Sequence, residues 1–132
     1  MNVKTAFLNG FIEEDIHMEQ PKCFVSETDI HKVCKLERSI YGLKQASRSW
    51  NLRLNEVVKG CGFIKNEDEP CVYKKTSGSK ISFLVLYVDD IVIIGNDVGM
   101  LITVKKWLSS TFFMKDLGAA TFIQGICWVF TY

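Results

Sequence analysis

Long apolar runs and paired cysteines are missing from this 132-residue chain, and each absence excludes a class of protein. The longest apolar stretch, residues 81–95, is interrupted by Asp89 and Asp90, so it falls short of the roughly 18 apolar residues that a membrane-spanning helix needs. The five cysteines form no Cys-x-x-Cys pair, which argues against a zinc or redox site and favours scattered thiols in a reducing compartment. The first ten residues lack the features of a secretory signal. We therefore expect an intracellular protein, cytoplasmic or nuclear, with no membrane partner.

A strong net charge is also missing, since the formal charge at pH 7 is +1. The distribution is uneven, however: residues 35–53 carry five basic side chains and one acidic side chain. Such a stretch can meet phosphate groups although the whole chain is nearly neutral, or it can be the solvated face of a helix. The composition, 48% hydrophobic and 23% charged, is typical of one folded domain.

Helix and strand patterns predict an α+β domain. Residues 1–8 resemble the end of a strand, an irregular stretch follows, and residues 33–36 form a short strand. A helix is predicted over residues 43–59, with Gly60 as its stop. A hairpin of residues 71–75 and 81–87 and a strand over 91–94 follow. The chain then has a second predicted helix over 97–112 and a last strand over 121–130. This order favours an antiparallel sheet with the helices packed on one face. Helical spacing predicts the buried positions, which are Trp50, Leu54, Val57, Val58, Leu101, Val104, Leu108 and Phe112.

Two adjacent carboxylates, Asp89 and Asp90, separate two apolar, strand-like runs. A central strand would not bury two charges without partners, whereas a hairpin tip exposes them and leaves both flanks in the core. Carboxylates held together at a tip form a hard-oxygen site suited to Mg²⁺, and Mg²⁺ suits phosphoryl transfer. The alternative is an ordinary turn, because aspartate is common in turns.

Four further blocks accompany residues 87–90 (YVDD), in a fixed order along the chain. They are residues 3–10 (VKTAFLNG), residues 41–46 (YGLKQA) with Arg48 and Trp50, residues 68–73 (DEPCVY), and residues 113–118 (FMKDLG) with Gly125-Ile126. The ordered set resembles the reverse transcriptase of copia-type LTR retrotransposons. In this resemblance YVDD corresponds to motif C, the first block to motif A and the second block to motif B.

The resemblance implies an RNA-directed DNA polymerase that uses two Mg²⁺ ions, with a primer–template of RNA or DNA and a deoxynucleoside triphosphate as partners. Asp89 would be the main metal ligand of motif C and Asp90 its companion. The remaining roles concern the nucleotide and template. Phe7 would stack under the incoming sugar, unless it is a core aromatic. Lys44, Gln45 and Arg48 would line the nucleotide and template, and Lys115 would protonate the leaving pyrophosphate, unless it is a surface lysine.

The chain departs from the family at Asn2, where motif A has a catalytic aspartate directly before Val-Lys-Thr-Ala-Phe. Ser47 and Gln124 stand where the family usually has proline and leucine. By this alignment residues 1–132 are one incomplete palm domain, and we expect the first fingers strands, the thumb and the ribonuclease H domain to be missing. Three hypotheses follow: an inactive palm, an active fragment, and a retained module that binds nucleic acid or a partner without catalysis.

Overall fold

The computed structural model describes residues 1–26 and 28–120, together with the backbone of residues 122–123 and 126–127. The chain divides into two compact units. One comprises Met1–Thr5 and Asn55–Tyr132, and the other comprises Ala6–Leu54. The helices are α1 (Ala46–Gly60) and α2 (Val98–Thr111). The strands are β1 (Asn2–Val3), β2 (His17–Glu19), β3 (Val33–Lys35), β4 (Ile64–Lys65), β5 (Val72–Ser77), β6 (Lys80–Tyr87), β7 (Asp90–Gly95), β8 (Met114–Lys115), β9 (Phe122–Ile123) and β10 (Ile126–Cys127).

The larger unit contains a six-stranded antiparallel sheet in the spatial order β4-β5-β6-β7-β1-β8. In β6, Ser82, Leu84 and Leu86 are buried, whereas Phe83 and Tyr87 on the other face are exposed. This alternation is typical of an antiparallel strand with one face on the core. The sheet confirms the predicted hairpin, and its combination with two helices confirms the α+β class.

Helix α2 packs against β6, β7 and β8. Its N-cap is Asp97, one of the two candidates that the sequence offers beside Asn96, and the carboxylate accepts a hydrogen bond of 2.7 Å from the backbone N–H of Met100. Val104, Leu108 and Phe112 are buried, so the predicted inner face is confirmed at these positions. In α1, Trp50, Leu54 and Val58 are buried as predicted, and Val57 is half-buried. Among the described residues, no helix is long and apolar enough to cross a bilayer.

The smaller unit holds the hairpin of β2 and β3, which pair from His17↔Lys35 to Glu19↔Val33. Strand β3 confirms the prediction for residues 33–36, but the irregular stretch predicted before it is wrong at β2. The side-chain amide of Gln20 holds the connection between the two strands, because it donates hydrogen bonds of 2.7 Å to the carbonyls of Asp29 and Lys32.

Two other sequence predictions are wrong. The first strand ends at Val3 rather than Leu8, because Thr5 has a φ of 56° and residues Ala6–Asn9 form a 3-10 helix. A β-branched residue at positive φ breaks an extended strand. The last strand is not continuous, since β9 and β10 pair antiparallel with each other. The remaining positions of the predicted strand over 121–130 lie outside the described residues.

Candidate active site

The candidate site lies at the tip of the β6–β7 hairpin. Tyr87↔Asp90 is the last strand pair, so Val88 and Asp89 form a two-residue connection. Val88 has a φ of 55°, at the first central position of the turn where glycine is usual. This conformation is strained, because a β-branched residue at positive φ is rare. The backbone therefore turns sharply between the two carboxylates and the strand that precedes them.

Strand β1 brings Asn2 to the same tip. The backbone N–H of Val3 donates to the carbonyl of Asp89 at 2.8 Å, and the N–H of Ile91 donates to the carbonyl of Met1 at 2.8 Å. These bonds set the register Asn2↔Asp90, across 88 positions of sequence. Because directly opposed residues of an antiparallel pair share a sheet face, the side chains of this pair lie side by side.

The side-chain amide of Asn2 contacts both carboxylates. Its Nδ2 donates to Asp89 Oδ2 at 3.1 Å and to Asp90 Oδ1 at 3.0 Å, and all three residues are half-buried. The three positions therefore converge at the hairpin tip. Ionised carboxylates accept hydrogen bonds and cannot donate, so the amide is oriented with its two hydrogens toward them. In this arrangement one neutral amide donates to both carboxylates.

Charged groups next to the site come from β8 and α2. Lys115 lies directly opposite Asn2 in the β1–β8 register, which places it in one row with Asn2 and Asp90. It is exposed. Beside it in the chain, Asp116 has a pKa below its ordinary value, because it accepts a hydrogen bond from the backbone N–H of Gly118 and a second one from Lys105.

The N-terminal ammonium of Met1 is part of the same ladder. It donates to the carbonyl of Ile91 at 2.8 Å. Its pKa lies below the ordinary value, chiefly because burial disfavours the charged form, while the carboxylates of Asp116 and Asp90 act in the opposite direction. Sequence reasoning did not identify this group, since no local pattern shows where a chain terminus lies in a sheet.

The predicted nucleotide- and template-binding residues other than Lys115 belong to the smaller unit. Phe7 is half-buried in the 3-10 helix, Lys44 and Arg48 are exposed, and Gln45 is half-buried just before α1. The ring of Phe7 lies 4.8 Å from that of Tyr41, centroid to centroid, with an angle of 49° between their planes. Tyr41 was not predicted as a site residue, although it opens the second sequence block. The roles of these residues stay predictions.

Comparisons with known proteins identify what this chain is similar to. A family model described as reverse transcriptase (RNA-dependent DNA polymerase) matches residues 1–130. The chain is 46% identical over 127 residues to the retrovirus-related Pol polyprotein from transposon TNT 1-94 of Nicotiana tabacum. The aligned residues are 96% of this chain and 10% of that protein. It is 35% identical over 126 residues to the corresponding polyprotein from transposon RE1 of Arabidopsis thaliana, covering 96% of this chain and 9% of that protein.

A shorter relative is the putative transposon Ty5-1 protein of Saccharomyces cerevisiae. It is 35% identical over 126 residues, which are 96% of this chain and 41% of that protein. The chain thus spans about a tenth of the length of the Pol polyproteins it matches and less than half of the yeast protein. No solved structure matches the chain.

Proposed function

This chain belongs to the reverse transcriptase (RNA-dependent DNA polymerase) family, and we propose that Asn2, Asp89 and Asp90 are an altered form of its nucleotidyl-transfer centre. In this proposal the chain is a palm segment of a transposon Pol polyprotein, and a primer–template and a deoxynucleoside triphosphate are the partners of the intact enzyme. The observation that carries the proposal is the convergence of Asn2 on both carboxylates, at 3.1 and 3.0 Å.

The residues present fit one Mg²⁺ better than two. Asp89 and Asp90 supply hard oxygen ligands of the kind that Mg²⁺ prefers. The third position supplies an amide whose hydrogens point at those same oxygens. Among the described residues, no group of three or more histidine, cysteine, aspartate or glutamate side chains is placed to hold a metal ion. When bound, Mg²⁺ would stabilise negative charge on transferring phosphoryl oxygens. Its binding here must displace two hydrogen bonds and lacks one ligand charge.

We therefore propose that the chain is inactive in DNA synthesis as it stands. Electrostatic stabilisation of the transition state is usually the largest catalytic contribution, and each 1.36 kcal/mol lost slows a reaction about tenfold. Loss of a ligand charge removes several kcal/mol by this estimate. Primer positioning is a second requirement, because holding reactants in line contributes roughly 7–11 kcal/mol. Surfaces for that purpose belong, in our proposal, to the part of a polyprotein beyond this segment.

The test is primer extension with Mg²⁺ on an annealed RNA template and DNA primer. We expect no product from the unmodified chain and none from Asn2→Asp alone. Within a complete enzyme of this family that carries this segment, Asn2→Asp should restore part of the activity, and a further Asp89→Ala should abolish it again. Extension by the unmodified chain, lost on Asp89→Ala, would contradict the proposed inactivity and leave the site assignment standing. A chimera that Asn2→Asp does not improve would contradict the site assignment.

A second candidate function is nucleic-acid binding without catalysis. The observation that favours it is the basic stretch of residues 35–53, in which Lys44 and Arg48 are exposed and Arg38 lies over the ring of Phe11 at 5.3 Å. Phosphate contacts make affinity fall steeply with salt. Binding of a primer–template with such a slope, weakened by Lys44→Ala together with Arg48→Ala, would support this function. Binding that salt does not weaken would contradict it.

A further inference from the structure

Lys4 lies at the end of β1 that approaches the hairpin tip. The backbone N–H of Val3 donates to the carbonyl of Asp89, so the strand runs toward the tip and Lys4 is its next residue. Side chains alternate between the two faces of a strand: Asn2 and Lys4 share one face, and Val3, which is buried, occupies the other. Because a strand rises about 3.3 Å per residue, the backbones of Asn2 and Lys4 are about 7 Å apart. The exposed Lys4 side chain therefore belongs to the surface on which Asn2 and the two carboxylates converge.

The ring of Phe113 restricts the position of the Lys4 side chain. The backbone N–H of Lys4 donates to the carbonyl of Phe113 at 2.9 Å, which continues the ladder between β1 and β8 by one pair. The ammonium Nζ lies 4.7 Å from the centroid of the ring, within the roughly 6 Å at which the face of a ring attracts a cation. The ring is 70% exposed, so it is a surface platform for the ammonium group and not a part of the core.

Two ammonium groups on this surface have no acidic partner in the described part of the chain. They are those of Lys4 and Lys115, which are diagonal neighbours across the ladder between β1 and β8. Diagonal neighbours lie about 7–8 Å apart, within reach of long side chains. The carboxylate next to Lys115 in the chain, that of Asp116, is already paired with Lys105 at 3.0 Å. Two positive charges therefore lie beside the two negative charges of the tip without neutralising them.

We propose that Lys4 binds the polyphosphate chain of a nucleoside triphosphate at the hairpin tip. The inference rests on the proposed function, in which Asp89 and Asp90 are the oxygen ligands of Mg²⁺, and it adds the residue that contacts the phosphates. A polyphosphate carries several negative charges, and an ammonium group on a flexible stem binds phosphate as a point charge. The Phe113 ring draws this ammonium toward β8, away from the carboxylates. Both signs of charge are thereby available to a ligand that carries a cation on its phosphates.

The probe is inorganic tripolyphosphate, titrated into the full chain with Mg²⁺ at low ionic strength, where exposed charges are least screened. Calorimetry gives the affinity, and the ring proton signals of Phe113 report on the site by nuclear magnetic resonance. We expect these signals to shift as the ammonium group turns from the ring to the anion. Lys4→Gln should weaken binding about tenfold, whereas Lys4→Arg, which keeps the charge, should bind within about threefold of the unmodified chain. Phe113→Leu keeps the ammonium but removes its platform, and it should weaken binding about two- to fourfold.

The matched control is Lys74→Gln, because Lys74 is a second exposed lysine over a ring on the same face of the sheet. Its Nζ lies 6.0 Å from the centroid of the Phe83 ring, and the two residues are directly opposed in the register of β5 and β6. Phe83 precedes Tyr87, the last paired residue of β6, by four positions, which is about 13 Å along the strand. Lys74→Gln should therefore bind tripolyphosphate within about twofold of the unmodified chain.

Four results would overturn the inference: no binding of tripolyphosphate, equal weakening by Lys4→Gln and Lys74→Gln, Phe113 signals that stay unchanged while the anion binds, or orthophosphate that binds as tightly as tripolyphosphate. Failure of the proposed function has a different signature. If Asn2→Asp does not improve the chimeric enzyme while Lys4→Gln still weakens tripolyphosphate binding, the catalytic assignment is wrong and the anion site stands. If Asn2→Asp restores activity while Lys4→Gln and Lys74→Gln bind the anion equally well, the anion site is wrong and the catalytic assignment stands.

Discussion

Asn2→Asp tests the site most directly, because it changes one atom type at the centre of three converging groups. The variant loses two donated hydrogen bonds and places a third carboxylate about 3 Å from Asp89 and Asp90. Two unit charges 4 Å apart interact by about 1 kcal/mol in water and about 4 kcal/mol near a protein surface. Because the site is half-buried at an open tip, we take about 1–2 kcal/mol for each of the two new repulsive pairs.

The hydrogen bonds add to this loss, at about 0.5–1.5 kcal/mol each. Lys115, opposite position 2 in β8, offsets part of the repulsion. We therefore expect Asn2→Asp to lower the free energy of unfolding by about 2–6 kcal/mol in the absence of divalent cations, a large fraction of the 5–15 kcal/mol typical of a domain. The added carboxylate should also create a cation requirement. Mg²⁺ at 100 times its dissociation constant would restore about 2.7 kcal/mol.

The measurement is urea denaturation with chelator and then with Mg²⁺, for the unmodified chain, Asn2→Asp and Asn2→Ala. Asn2→Ala is the control, since it removes the hydrogen bonds without adding charge. We expect Mg²⁺ to stabilise Asn2→Asp more than either of the others. If Asn2→Asp unfolds at the same urea concentration as the unmodified chain in chelator, or if Mg²⁺ shifts all three equally, the three groups do not form one electrostatic unit and the reasoning is wrong.

Three further predictions concern the scaffold. Gly10→Ala should lower the free energy of unfolding by about 1–3 kcal/mol in a urea titration, because the new Cβ would lie 2.7 Å from Ser49 Cβ. The control is Gly60→Ala, whose new Cβ would have nothing within 4 Å, and it should change the free energy of unfolding by less than about 1 kcal/mol. Val88→Gly should raise stability by up to about 1 kcal/mol by removing the cost of positive φ, and Val88→Ala should give no such gain. The pKa of Asp97 is lowered, first by its hydrogen bond with Lys80 and second by the one from the Met100 N–H. The ionised carboxylate therefore stabilises the folded chain fully above about pH 4, and this contribution is lost as the pH falls through the lowered pKa. Acid titrations monitored by circular dichroism should show a weaker dependence in this range for Asp97→Asn.

The hairpin and its acidic tip could be predicted from sequence because the signals there are local. Apolar strand patterns flank two adjacent aspartates, and only a hairpin tip exposes both carboxylates while both strands stay in the core. The approach of Asn2 had no local signal, since 87 positions separate it from Asp89. Only the resemblance, which aligns Asn2 with the motif A aspartate, pointed to this approach. What fixes the approach is the ladder between β1 and β7, and register across such a distance is set by tertiary pairing that periodicity does not reveal.

Strand β2 was missed for a related reason. Its side chains are exposed or half-buried, so no apolar alternation marks it. The strand exists because it pairs with β3, and the Gln20 amide holds the connection at two carbonyls. The first strand was predicted too long because its apolar residues continue past Val3, while the turn at Thr5 depends on a positive φ that a threonine seldom adopts. Context overrides propensity at these positions.

Backbone contacts hold the geometry of the site. Val3 and Ile91 make ladder bonds on either side of the Asn2↔Asp90 pair, and the sharp turn at Val88 sets the direction of Asp89. These contacts do not depend on the charge at position 2. An amide there gives two hydrogen bonds to carboxylates that would otherwise repel each other. In our proposal, the amide at position 2 withholds a ligand charge from Mg²⁺ and also stabilises the pair of carboxylates, so a weaker metal affinity and the retention of the fold would have the same physical cause.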